Sequence, residues 1–282
     1  MIAEIRDSLM NYRDRQRVAI ALSRGAAMMH ARRINLHEPE SWEFSGFSQN
    51  GEDGILDVLR SQLLKRNRYF IEIGVEDGIE CNTAWLVVAE KHSGMMIEGN
   101  PRLSKRASQF VYKYSIGAEC YNLFMTKESV AKLKTLALHK DPDVFSLDID
   151  GNDYYIAQAI LGEGFRPKIF VVEYNSAFGP NRSMTIEYDG AFVLAKAHSS
   201  HLYYGASITA WKRLFGHHGY RFVTVERNGV NAFFVDPALF KNGFVNRIKG
   251  LAYAENQYQL KTFRTRNEEQ FSIIADQHFV SI

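Results

Sequence analysis

The chain has 282 residues, 46% of them hydrophobic, and its 34 Lys and Arg nearly balance 32 Asp and Glu for a net charge of +2. That composition supports a large core and argues against disorder, and the balanced charge excludes a basic footprint spread over the whole surface, so a small partner and no nucleic acid are expected. Two cysteines, Cys81 and Cys120, stand in no zinc or redox spacing, and no apolar run approaches the roughly 20 residues of a membrane helix, so a cytoplasmic protein without a transmembrane segment is expected.

Residues 1–33 read as a helix with an apolar stripe of Ile2, Ile5, Leu9, Val18, Leu22, Ala26 and Met29. Its other faces are basic: Arg6, Arg13, Arg15, Arg17, Arg24, Arg32 and Arg33 outnumber Glu4, Asp7 and Asp14. Such a face is solvated on a helix packed against the core or a second subunit, or it serves peripheral contact with an anionic membrane. The expected organisation is an N-terminal helical extension over 1–44, a ligand-binding domain over 45–240 and a C-terminal extension over 241–282 packed on that domain.

From residue 69 onward, short apolar runs alternate with helical stretches, which predicts βα units and a parallel sheet. Strands are expected at 69–74, 94–98, 115–120, 144–150 and 168–173. Two further runs, 221–226 and 230–236, flank Asn228-Gly229, a signal for a tight hairpin that makes the last strand antiparallel. The expected class is α/β, a Rossmann-like fold with a mostly parallel seven-stranded sheet and helices on both faces.

The first strand runs through Glu72 into Gly74-Val75-Glu76-Asp77-Gly78, before a helix expected over 82–91 whose N-terminus offers free N–H groups. This is not the GxGxxG of dinucleotide sites. Acids in the turn repel a pyrophosphate and suit a cationic amino-acid or sulfonium group. About twenty residues on, Glu98 ends the second strand ahead of Gly99-Asn100-Pro101, where a carboxylate accepts both ribose hydroxyls of an adenosine. As a strand-end acid it would otherwise cap the helix that Pro101 opens.

Alternation along the fourth strand puts Asp148 and Asp150 on one face at its carboxyl end, and the next strand ends in Glu173-Tyr174-Asn175. Asp150, Glu173 and Asn175 are the expected ligands of Mg²⁺ or another divalent metal, which would lower the pKa of an acceptor hydroxyl. The other reading of these letters is helix capping by Asp150 and a solvated Glu173. Asp150 and Asp153, with His198 and His201, are the expected catalytic residues, a histidine titrating near neutrality. Arg182, in a loop, is a candidate for holding an acidic sugar or a phosphate.

Taken together, Phe47-Ser48-Gln49-Asn50-Gly51-Glu52-Asp53, the 71–78 turn, Ile97-Glu98-Gly99-Asn100-Pro101, Tyr204-Gly205-Ala206-Ser207 and the 228–235 hairpin resemble the FkbM-like family of S-adenosylmethionine-dependent methyltransferases, over roughly residues 45–236. The resemblance implies O-methylation of a sugar or glycoconjugate, as in polysaccharide biosynthesis. It passes cosubstrate binding to Gly74, Asp77 and Glu98, with Gln49 and Glu52 in a cover over the same site. Glu72, Asn82, Asn100 and Asp148 complete the expected cosubstrate shell.

Glu72 stands where that family often has Asp, and Asp150-Gly151-Asn152-Asp153 carries more acids than its usual pattern, which is more similar to Mg²⁺-dependent sugar O-methyltransferases. Two alternatives accompany this reading. One is a non-catalytic Rossmann-like assembly protein using the basic helix. The other is a metal-dependent glycosyltransferase, because Asp148-Ile149-Asp150 has the DxD form. A homo-oligomer is compatible with each.

Overall fold

The computed structural model describes residues 2–282, with side chains from residue 10 onward. The expectations placed on the side chains of Ile2, Glu4, Ile5, Arg6, Asp7 and Leu9 therefore lie outside what is described. In chain order the elements are α1 (Ile2–Ala31), α2 (Glu52–Ser61), β1 (Tyr69–Ile73), α3 (Ala84–Val88), β2 (Ser93–Glu98), α4 (Pro101–Tyr114), β3 (Ala118–Asn122), α5 (Val130–Leu136), β4 (Val144–Leu147) and α6 (Asp153–Gly162). They continue with β5 (Ile169–Glu173), β6 (Met184–Ile186), α7 (Leu194–Ala197), α8 (Ile208–His217), β7 (Arg221–Val225), β8 (Asn231–Val235), α9 (Gln257–Phe263), α10 (Asn267–Ile274) and β9 (Phe279–Ser281).

Every residue of β1, β4, β5 and β8 is buried, which is what near-continuous apolar runs produce when helices cover both faces of a sheet. The seven strands lie in the order β3-β2-β1-β4-β5-β8-β7. The first five are parallel, and β8 alone runs antiparallel, between β5 and β7. This is the Rossmann-like α/β sheet expected from the sequence. One core packs α2, α3 and α4 with Trp42 and Phe44 against one face; the other packs α5, α6 and α8 against the opposite face. Strand order reverses between β1 and β4, and at such a switch point the carboxyl ends of the strands leave a crevice for a ligand.

Several element ends differ from the sequence expectation, each for a local reason. The fourth strand stops at Leu147 instead of Asp150, because Asp150 has φ +53 and the Asp153 carboxylate takes the N–H groups of Ile149 and Gly151. The third strand begins at Ala118 rather than Ser115, whose hydroxyl accepts from Gly117 and Ala118 N–H to turn the chain out of α4. The hairpin turns where expected: Gly229 N–H bonds the Glu226 carbonyl at 3.1 Å, Glu226 N–H pairs with the Asn231 carbonyl, and the Glu226 carboxylate accepts from Asn228, Val230 and Asn231 N–H.

On α1 the buried stripe is Val18, Ala21 and Gly25, with Leu22 partly buried, whereas Ala26 and Met29 face solvent. A Cβ on Gly25 would lie 2.4 Å from the Trp85 ring, so glycine lets the helix seat closely. Three of its arginines turn inward. Arg17 binds Asp77, Arg24 donates to the Gly46 carbonyl, and Arg32 donates to the Trp42 carbonyl and pairs with Asp57. Arg13, Arg15 and Arg33 remain exposed. At the other end of the chain, β9 pairs with β6 and Tyr174 donates to the Ala254 carbonyl. Among the described residues, no helix is long and apolar enough to cross a membrane.

Candidate active site

A cavity of about 880 Å³ opens at the switch point. Its lining follows the sheet order. Gly99 and Asn100 lie beyond β2, which ends in Glu98; Gly74, Glu76 and Asn82 lie beyond β1, and Asp148 to Asn152 beyond β4, while Glu173 ends β5 and Asn231 opens β8. The loop after β3 adds Leu123, Phe124 and Met125, and the segment around α7 adds Phe192 to Ala195 and His201. Gln49, Asn256 and Tyr258 close the remaining side.

At the β1 end, Gly74 has φ +86, and a Cβ there would lie 1.5 Å from the Asp148 carbonyl oxygen. Only glycine permits the β1 and β4 loops to touch. Glu72 is buried and faces the α3 start, accepting from Asn82 N–H, Thr83 N–H and the Thr83 hydroxyl. Those N–H groups, expected from the sequence to be free for a ligand, are taken, and α3 begins only at Ala84. Burial raises the Glu72 carboxyl, and these donors oppose it. The Asn82 side chain then donates to the Ser146 hydroxyl at 3.0 Å, bracing β4.

At the β2 end, one Glu98 oxygen accepts from Glu76 N–H at 2.9 Å and the other from Asn100 N–H at 2.7 Å. The carboxylate is half-buried, held in place by these two donors, and lines the cavity. Asn100 spends its own carbonyl on Arg102 and Leu103 N–H as the N-cap of α4.

At the β4 and β5 ends, Asp148, Asp150 and Glu173 place one oxygen each within 4.8 Å of one another. Asp148 and Glu173 are both pushed well up, first by burial and then by the neighbouring carboxylates. Glu173 is 8% exposed, its Oε2 has no hydrogen-bond partner within 3.5 Å among the described residues, and its polar neighbours are the Asp148 carboxyl and the Tyr204 hydroxyl. An orphaned buried carboxylate oxygen beside two more acids fits a divalent cation, whose metal–oxygen distances of about 2.0–2.6 Å would span such a cluster. The juxtaposition arises from the loop after β4, not from alternation along a strand.

Asp153 does not line the cavity. It is buried, pushed up to about 6 by that burial against its two backbone donors, and it holds the turn that carries Asp150. His201, at φ +57, lines the cavity, whereas the His198 ring binds Ser200 within its own loop. Asn175 spends its amide on the Leu202 and Tyr204 carbonyls and on Ala177 N–H, so here it pins the rim behind the acidic cluster.

Asp77 turns away from the cavity to Arg17 and Arg106, at 2.6 and 2.9 Å. Glu52 lies buried beneath the site, accepting from Asn50 and Asn231, while Gln49 from the same loop reaches the lining. Arg182 pairs with Glu268 over the Phe271 ring and takes no part in the lining.

Of the two turn acids expected to face a cationic group, Glu76 lines the cavity. Residues not foreseen complete it: Glu80, Asn231, Asn256 and Tyr258, the last two from the tail that carries no motif. The lining therefore holds seven carboxylates (Glu72, Glu76, Glu80, Glu98, Asp148, Asp150 and Glu173) and, among the described residues, no Lys or Arg. Such a surface favours cationic groups and repels anions.

No protein-family model matches the chain, and no curated protein matches it. Several solved structures are similar to it at low identity. One is an O-methyltransferase from Bacillus cereus in complex with SAH (13% identity, TM-score 0.42, covering 78% of this chain and 89% of that one). Another is an SAH-bound methyltransferase from Podospora anserina (12%, TM-score 0.39, 62% and 72%). A third is a fibrillarin pre-rRNA processing protein from Methanococcus jannaschii (12%, TM-score 0.40, 61% and 67%). Likeness of this extent carries no inference about reaction or ligand.

Proposed function

We propose that the protein is an enzyme, an S-adenosylmethionine-dependent O-methyltransferase acting on a hydroxyl of a sugar or glycoconjugate, with help from a divalent metal. The observation that carries this reading is the distribution of acids along the rim. Glu98, fixed by two backbone N–H groups at the end of β2, is oriented to accept ribose hydroxyls, and the acids nearer β1 and β4 suit an ammonium and a sulfonium. A metal-dependent glycosyltransferase, the DxD alternative, would use the same Asp148 and Asp150 but gives no role to Glu98 and the Gly74 turn at the other end of the rim.

When bound, S-adenosylmethionine supplies an already activated methyl group, so the protein's work is orientation and handling one proton. Glu98 and the Gly74 turn hold the nucleoside end. Asp148, Asp150 and Glu173 would hold a Mg²⁺-like ion, which lowers the pKa of a hydroxyl bound to it. Asp150 or His201, both on the lining, then takes the hydroxyl proton, and Asp153 keeps Asp150 in place.

Sugar as the acceptor is supported by Gln49 and Tyr258, neutral hydrogen-bonding side chains on a lining that also carries the Phe192 ring. A cytoplasmic location without nucleic-acid partners belongs to the same proposal, as do the boundaries 1–44, 45–240 and 241–282. With Arg17, Arg24 and Arg32 bonded to Asp77, Gly46 and Trp42, membrane or subunit contact through α1 and its end would fall to Arg13, Arg15 and Arg33. Methyl transfer from labelled S-adenosylmethionine to a panel of sugars, with Mg²⁺ and with chelator, tests the reading. Transfer that needs Glu98 and Asp150 supports it, and absence of cosubstrate binding removes it.

A further inference from the structure

Between Asp150 and the start of α6 lie Gly151 and Asn152, and both are committed to the segment that carries Phe192. A Cβ on Gly151 would lie 2.4 Å from Phe192 Cδ1 and 2.8 Å from Cε1. Gly151 does not have a positive φ, so its backbone conformation tolerates a side chain and it is the ring that excludes one. The ring therefore sits directly on the residue that follows Asp150.

Asn152, which is buried, grips the same segment by its backbone. Its Nδ2 donates to the Asp189 carbonyl at 2.6 Å, and its Oδ1 accepts from Asp189 N–H at 3.3 Å. The Asp189 carbonyl also accepts from Phe192 N–H at 2.9 Å, and the Asp189 carboxylate accepts from Ala191 N–H, closing a turn that presents the ring. Further along, Gly205 N–H donates to the Gly151 carbonyl at 3.0 Å. Ring contact, side-chain amide and backbone carbonyl thus latch one segment to the loop of Asp150.

What the latch presents is apolar. Phe192, Val193, Leu194 and Ala195 line the cavity in succession, none of them fully buried and Val193 43% exposed, in a lining otherwise rich in carboxylates. Apolar surface left open in a cavity is covered favourably by a ligand with an apolar face of its own. A cyclic sugar has such a face, because its ring C–H groups project above and below the ring while its hydroxyls surround the edge. The negative face of an aromatic ring attracts those C–H hydrogens. A sugar stacked on Phe192 would bring its edge hydroxyls beside Asp150, one residue from the ring's seat.

We infer that Phe192 is a specificity-determining residue: its ring, seated on Gly151 and latched through Asn152, packs against the C–H face of a cyclic sugar and turns a hydroxyl of that sugar toward Asp150. Calling this sugar the methyl acceptor rests on the methyltransferase reading; the stacking does not. An open-chain polyol offers the same hydroxyls without the face and is disfavoured.

The test is ligand-observed NMR on the full chain with galactose and rhamnose as cyclic probes, sorbitol as the open-chain polyol and catechol as an aromatic diol, alongside calorimetry with S-adenosylhomocysteine. The wild type should bind at least one cyclic sugar, with its ring C–H protons shifted upfield by the aromatic ring current, and sorbitol about tenfold more weakly. Phe192→Leu keeps an apolar side chain but no aromatic face, so it should weaken the sugar about fivefold and abolish the upfield shift, while Phe192→Tyr keeps both. S-adenosylhomocysteine affinity should stay within about twofold in these variants. Gly151→Ala should weaken the sugar as Phe192→Ala does, and adding it to Phe192→Ala should cost nothing more, since the new Cβ then occupies space the ring has left.

A sugar bound without the upfield shift, a Phe192→Leu protein that binds like the wild type, sorbitol bound as tightly as the cyclic sugars, or catechol bound where no cyclic sugar is would each overturn the inference. The wild-type shift and the sorbitol comparison need no variant to fold. Failure of S-adenosylhomocysteine to bind while a sugar still stacks on Phe192 would remove the methyltransferase reading and leave the sugar site standing.

Discussion

Arg17 donates to Asp77 Oδ2 at 2.6 Å, tying the N-terminal helix to the turn that follows the first strand. Arg106, on α4, reaches the same oxygen at 2.9 Å, and Asp77 Oδ1 accepts from Ile79 N–H. An acid read from sequence as facing a ligand is instead the fastening point of α1.

Replacing Arg17 alone should change little, because Arg106 remains and the exposed half of the interaction is screened. Arg17→Ala with Arg106→Ala leaves the mostly buried Asp77 without a cation. A loss on the order of 1–2 kcal/mol is expected, below that of a fully buried pair because both arginines reach solvent. Thermal melting of the two single variants and the double reads this as a deficit beyond the sum of the singles.

Gly74→Ala tests the contact between the β1 and β4 loops. At φ +86, with a carbonyl 1.5 Å from the new Cβ, the backbone must move, and about 3 kcal/mol or more of stability should go with it. Urea denaturation measures the loss, and S-adenosylhomocysteine affinity should fall in parallel. Gly164→Ala is the control for glycine loss at positive φ, since φ there is +88 with no atom near.

The pH dependence of stability should run opposite to that of a protein stabilised by surface ion pairs. Burial pushes both Asp53 and Glu226 up to about 7 against several backbone N–H groups, so the folded chain binds protons that the unfolded chain has released. The stabilisation is complete below the ordinary carboxylate range and is lost as pH rises through about 7. Melting temperature should therefore fall between pH 5 and pH 8, by about 3 °C or more, and Asp53→Asn should flatten the slope. A melting temperature that rises over this range contradicts the assignment.

The sheet was legible in sequence because its central strands are buried on both faces and read as unbroken apolar runs ending in acids or glycine. The antiparallel strand was legible from Asn228-Gly229, where Gly229 N–H closes a turn on the Glu226 carbonyl. The lining of the cavity was legible where it is local to one strand end, at Gly74, Glu98, Asp148 and Glu173. It was not legible where a distant partner decides the role. Asp77 belongs to Arg17, 60 positions away, and Glu52 to Asn231, 179 away. Tyr258 carries no motif, Asn231 was read only as part of the hairpin, and only the folded hairpin and tail bring them to the cavity.

Asp153 is predicted to act as a positioning residue rather than a base. Asp153→Ala frees the Ile149 and Gly151 N–H groups and lets Asp150 drift, so kcat should drop about tenfold or more, with KM for S-adenosylmethionine little changed. Asp153→Asn, which keeps an acceptor for one of the two N–H groups, should retain part of the rate. Equal loss in both variants would favour direct proton transfer by Asp153.

The central claim is a cosubstrate site built on Glu98, and isothermal titration of wild type and Glu98→Ala with S-adenosylhomocysteine tests it most directly. The wild type should bind one equivalent, and Glu98→Ala should lose at least tenfold in affinity, about 1.4 kcal/mol, at unchanged melting temperature. A wild-type protein that binds no S-adenosylhomocysteine, or a Glu98→Ala protein that binds it equally well, would contradict the claim.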